Sequence, residues 1–168
     1  MFKKFAIVAP LAVMALNSSM AFAAGEASHT VNLKANIPTQ VFHVQPRDPN
    51  WGQDETMNYN LVSGELAQLS AIYDMKNTNG SINAYIEGGP AALFNGDAAQ
   101  NIALTTTLNG VTLTGTPQEV VNEADSTPGV GAQMVIAAAK PTATQRGSYT
   151  AVLPLVFDAV LPPVPLKP

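Results

Sequence analysis

Apolar and polar residues alternate in short runs along most of this chain, the spacing that puts successive side chains on opposite faces of a β-strand. Thr30-Val31-Asn32-Leu33-Lys34-Ala35-Asn36-Ile37 alternates strictly, with Val31, Leu33, Ala35 and Ile37 on one face. Pro38 closes that run, because proline fixes φ and has no N–H to donate. Near the other end, Tyr149, Ala151, Leu153, Leu155 and Phe157 share one face, while Thr150, Val152, Val156 and Asp158 share the opposite one with Pro154. A proline cannot complete a sheet ladder and belongs at edges or bulges, so Pro154 predicts that one side of this strand is unpaired, at least locally.

Three Asn-Gly pairs, Asn79-Gly80, Asn95-Gly96 and Asn109-Gly110, carry the residues that type I′ turns require, and each predicts a reversal of direction. The first predicts a hairpin between 66–73 and 81–86, and the third a hairpin between 102–108 and the β-branched 111–114. Further strands are expected at 40–45, 57–62, 133–139 and 148–160. Residues 64–75 fit a helical period as well, since Leu66, Leu69, Ile72 and Tyr73 recur every three or four positions; the turn that follows favours a strand. Strands this closely spaced, with no helices alternating between them, predict an antiparallel all-β sandwich or barrel.

The opening residues change the picture of where the chain goes. Lys3 and Lys4 precede an apolar run over 5–16, and small residues surround Ala21-Phe22-Ala23, the pattern of a secretory signal peptide over residues 1–23. The run is shorter than the ~20 residues that span a bilayer, so no transmembrane segment is expected in the mature chain. Without the leader, six basic residues face twelve acidic ones, a net charge of −6. Nucleic acid is excluded as a partner, because binding it needs a basic surface that displaces counterions. At 168 residues the chain holds one ordinary domain. Charged residues make up only 12% of it, against about 25% in typical proteins, so Asn, Thr, Gln, Ser and Ala must cover much of its surface. There is no cysteine to cross-link the fold.

The N-terminal run admits two readings: an ordinary first strand, or a strand that docks into a different molecule. The stretch 30–38 followed by Val41-Phe42-His43-Val44-Gln45 resembles the start of the major pilins of the CS1 and CFA/I type, the alpha-fimbrial class of chaperone-usher pili. Residues 102–114 resemble the central hairpin of that family. Val135-Ile136-Ala137-Ala138-Ala139-Lys140-Pro141 and the Gly147-Ser148-Tyr149 strand resemble its closing region.

The resemblance implies an immunoglobulin-like antiparallel sandwich that lacks its final strand, over residues 39–160, preceded by a donor-strand extension over 24–38. It implies a structural subunit of a surface fimbria that polymerises by donor-strand complementation and supports adhesion to host surfaces. Val31, Leu33, Ala35 and Ile37 would be the inserted side chains and Pro38 the hinge. The groove would be bordered by the strand carrying Tyr149, Leu153, Leu155 and Phe157. The implied partners are identical subunits, a periplasmic chaperone, an outer-membrane usher and a tip adhesin, with transit through the periplasm to the cell surface. Family members usually end soon after the Gly-x-Tyr strand, whereas here a Pro-rich tail follows over 161–168; with Pro154, it points to a divergent, cable-pilus-like branch. The alternative is a monomeric secreted or tip-located carbohydrate-binding adhesin with a complete sandwich.

Little in the sequence suggests catalysis. A hydrolase needs nucleophile, base and orienting group together, and His29 and His43 are the only histidines. No catalytic residue, metal site or cofactor is therefore expected. Asp48, Asp54 and Glu55 gather oxygen ligands but do not follow the EF-hand spacing, which leaves a polar turn as the simpler reading. Trp51, the only tryptophan, suits either a sugar contact or the core. Gly88-Gly89-Pro90 reads as a turn and 125–131 as an exposed loop.

Overall fold

The computed structural model describes residues 41–162. Eleven strands, all paired antiparallel, make up most of the fold. They are β1 (Phe42–Pro46), β2 (Tyr59–Asn60), β3 (Glu65–Leu66), β4 (Leu69–Asn77), β5 (Ser81–Ile86), β6 (Ala92–Leu93), β7 (Ile102–Leu108), β8 (Val111–Thr112), β9 (Gln118–Val121), β10 (Val130–Ala138) and β11 (Leu155–Val160). Among the described residues a short α-helix, α1 (Glu123–Ser126), lies between β9 and β10, and a single 3-10 turn (Ala98–Gln100) between β6 and β7.

The larger sheet runs β1-β4-β10-β7-β6, with β8 also on β7, and the smaller runs β11-β5-β9. β2 and β3 form a separate ribbon. The two main sheets enclose one core, in which Met75 of the larger sheet meets Ile82, Ala84 and Ile86 of the smaller one. This is an all-β, immunoglobulin-like sandwich, as the alternation predicts.

Residues 64–75 resolve as ribbon and strand, and the helical period is incidental. Alternation on β7 carries Ile102, Leu104, Thr106 and Leu108 inward, all buried, while Ala103 and Thr105 face solvent. Asn109 and Gly110 both adopt positive φ, 51° and 81°, and join β7 to β8 as the predicted two-residue turn.

The first Asn-Gly pair behaves differently. Strands β4 and β5 do not pair; the chain passes there from one sheet to the other, so the predicted hairpin is absent. Only Gly80 of that pair has positive φ, at 153°. Side chains fasten the crossing instead: the Asn77 amide donates to the Ser81 carbonyl at 2.8 Å, and the Ser126 hydroxyl to that of Gly80. A Cβ at Gly80 would run into the Val160 carbonyl. Ser126 sits in α1, so the region read as a loop over 125–131 begins with the end of a helix, capped by Asn122 at the Asp125 N–H.

Candidate functional site

Each main sheet has an edge strand with one partner among the described residues. β1 pairs only with β4, and β11 only with β5. Opposite residues in an antiparallel pair alternate between bonding each other and pointing their backbone groups to the far edge. The Glu87 N–H donates to the Pro154 carbonyl at 3.0 Å, one step before Leu155 meets Ile86. Residues 154, 156, 158 and 160 therefore face β5, and the N–H and C=O of Leu155, Phe157 and Ala159 point to the outer edge.

This register settles the effect of Pro154. Its missing N–H faces β5, so the outer edge of β11 loses no donor. One side of β11 is unpaired among the described residues, but Pro154 is not its cause.

Beside this region lies a trough of about 1270 Å³. Its floor is the inner face of the larger sheet: Leu69 of β4, Ile102 and Leu104 of β7, and Met134 and Ile136 of β10. One wall is the segment 149–155, which bridges to Phe94 through paired backbone bonds at Thr150 before entering β11. The other wall is the loop 51–57 after β1, and the β2–β3 ribbon completes the rim. Small-molecule pockets usually enclose about 300–1,000 Å³. This cavity is larger, and its floor is apolar.

Three of the four residues expected to border a groove, Tyr149, Leu153 and Leu155, line this trough. Phe157 does not; its ring packs against Tyr73 of β4, with centroids 5.7 Å apart, and closes the space between the sheets there. Tyr149 is held by its hydroxyl, which donates to the Gln100 carbonyl at 3.2 Å and accepts from the Asn95 amide at 3.1 Å. Val31, Leu33, Ala35, Ile37 and Pro38 lie outside the described residues, as do the expected leader over 1–23 and residues 163–168.

Trp51 is half-buried against the core and contributes to the trough wall. Burial raises the Tyr73 phenol above its ordinary pKa, and the neighbouring Trp51 side chain partly opposes the shift. Two of the three acidic residues near Trp51 accept hydrogen bonds from nearby backbone N–H groups. Asp48 accepts from the Asn50 N–H at 2.9 Å and Glu55 from the Gly52 N–H at 3.2 Å, as in a polar turn. His43 is half-buried in β1, paired with Lys76.

The floor of the trough is what residue-by-residue reading passed over. Ile102, Leu104, Met134 and Ile136 sit at alternate positions in segments recognised as strands. That signal marks them as inward-facing, but does not say that they line a trough or that Ile136 is left half-buried.

No helix among the described residues is long and apolar enough to cross a membrane. No curated protein matches the chain. The family model described as CS1 type fimbrial major subunit matches residues 27–158, well over half of the 168-residue sequence. The chain therefore belongs to the CS1 type fimbrial major subunit family.

Proposed function

We propose that this fimbrial subunit polymerises by receiving the N-terminal segment of another copy along the trough beside β11. The observation that carries this reading is that the outward-facing backbone edge of β11 begins at Leu155, which lines the trough, next to a floor on which Leu69 and Ile136 are only half-buried. An added strand satisfies both at once, since backbone bonds supply affinity and alternate side chains in pockets supply selectivity.

In this reading Val31, Leu33, Ala35 and Ile37 of the incoming copy enter the trough, and Pro38 turns the chain toward its own domain. Full burial of Val31, Leu33 and Ile37 would contribute roughly 1.5–3 kcal/mol each, beyond the ladder bonds. The same uncovered surface explains why such a subunit needs a periplasmic chaperone before an outer-membrane usher and a tip adhesin become its neighbours. The family is one of structural subunits rather than enzymes, and adhesion to host surfaces is the role that a fibre of such subunits would serve.

Leu33→Asp tests the mechanism. The substitution sends a charge into an apolar trough without a partner, so full-length protein should stay folded by circular dichroism and fail to form fibres in electron micrographs. Wild-type fibre yield from Leu33→Asp would overturn the reading.

A further inference from the structure

Large apolar side chains stand exposed at seven described positions, and all seven lie at the two ends of the sandwich rather than on its sheet faces. Val41 and Leu161 mark one end. The Thr78 N–H donates to the Val41 carbonyl at 3.0 Å, and Leu161 follows Val160, which pairs with Ser81. Both residues therefore flank the turn between β4 and β5. At the opposite end, where β4 and β11 begin, stand Tyr59, Leu61, Val62, Phe94 and Val152.

The second group is built for display. Leu61 and Val62 are 90% and 97% exposed at the tip of the β2–β3 ribbon, where turn chemistry usually places polar residues. The tip is nevertheless held in shape. The Asn60 side chain accepts from the N–H groups of Val62 and Ser63 at 2.8 and 3.1 Å, and the Lys140 ammonium donates to the Ser63 carbonyl at 2.7 Å. Gly64 takes the positive φ of 69° that lets the ribbon return. A fixed tip presenting two apolar side chains is the mark of a contact surface.

We infer that the hairpin end of one copy, centred on Leu61 and Val62, seats against the Val41–Leu161 end of the next copy. The occupant is a second copy for two reasons. Contacts between unlike ends of one molecule do not close on themselves and generate fibres, and this family is one of fimbrial subunits. Moreover Leu61 and Val152 belong to the trough rim, while the residues that precede Val41 are joined to the molecule at the opposite end. On the strand-insertion reading, on which this inference rests, a neighbour whose N-terminal segment enters the trough brings its Val41 end to this rim.

A charge exchange in the full-length chain tests the contact. Leu61→Lys with Val62→Lys, or Val41→Glu with Leu161→Glu, should each weaken association between copies at least about tenfold, equivalent to 1.4 kcal/mol, read as shorter fibres by electron microscopy and sedimentation. All four substitutions in one chain should restore fibre length, because opposite charges then meet. Val62→Ser, at the most exposed position, serves as a milder variant that leaves the core untouched and should shorten fibres in the same direction. Wild-type fibres from either single-end variant, or no recovery in the combined chain, would overturn the contact. Excess synthetic peptide covering residues 24–38 separates the two ideas: inhibition of growth without charge recovery sinks the end contact alone, whereas recovery without inhibition sinks strand insertion alone.

Discussion

Strands β4 and β10 each pass through two different environments on one face. Toward the β4–β5 turn, Met75 is 2% exposed and Ala132 is 0% exposed, closed over by β5 and its neighbours. Toward the ribbon, Leu69 and Ile136 occupy the same inward positions of the same strands and are only half-buried, on the floor of the trough. Side-chain chemistry does not differ between the halves. What differs is the covering layer, since no described strand lies beyond β11 to extend the smaller sheet. Burial here is decided by a neighbouring strand, so on the proposed reading the open half holds stabilisation that an incoming strand would add.

The comparison breaks most sharply at Gly80, which closes the finished half. An added Cβ meets the Val160 carbonyl, and φ of 153° is strained for any other residue. Gly80→Ala is expected to cost more than about 4 kcal/mol, in the range reserved for named backbone or core defects, and to deplete folded protein. Urea unfolding followed by circular dichroism measures it, and a wild-type midpoint would mean that the crossing between sheets is loosely held.

A paired substitution then sharpens the contrast. Leu108 is fully buried in the closed half, so Leu108→Ala should cost about 2–5 kcal/mol in the isolated subunit. Ile136→Ala, on the trough floor, should cost about 1 kcal/mol there, because part of the side chain remains in water in either state. In fibres the gap should narrow, with Ile136→Ala rising toward the Leu108→Ala value once a strand covers it. Equal costs in monomer and fibre would mean that nothing enters the trough over Ile136.

Much of the closed half was legible in the sequence because local rules decide it. The alternation over 81–86 and 102–108 coincides with β5 and β7, and Asn109-Gly110 names its turn type by itself. Asn79-Gly80 announced a reversal without saying which strands would pair, a choice made by Asn77, Ser126 and the tight approach of Val160. β9 has no alternation to reveal it: Val120 and Val121 are adjacent and both buried, beside an irregularity in the register with β5. The expected strand over 57–62 shrank to two residues because it pairs only within its own ribbon. For the trough, Leu153 and Leu155 could be picked from their strand, but an uncovered floor is a property of the fold as a whole.

The smallest effect concerns how the edge strand β1 is fastened beside the open half. Arg47, the residue after β1, donates to the Asp74 carboxylate of β4 through Nη2 at 2.6 Å and Nε at 3.2 Å, while its N–H bonds the Ile72 carbonyl. The Arg47 hydrogen bond holds the Asp74 carboxyl below its ordinary pKa. A depressed carboxylate pKa contributes stability that is full above the ordinary carboxylate range and is lost as pH falls through the lowered value. Both side chains are largely exposed, so salt screens the pair and its contribution stays well below that of either core substitution. Asp74→Asn should therefore lower stability slightly at neutral pH and converge with the parent chain in acid, with the gap narrowing as salt is added. Unfolding midpoints measured from neutral to strongly acidic pH would show it. Curves separated by a constant amount at every pH would mean that β1 is held by its backbone ladder alone, leaving the edge free to yield when a strand arrives beside it.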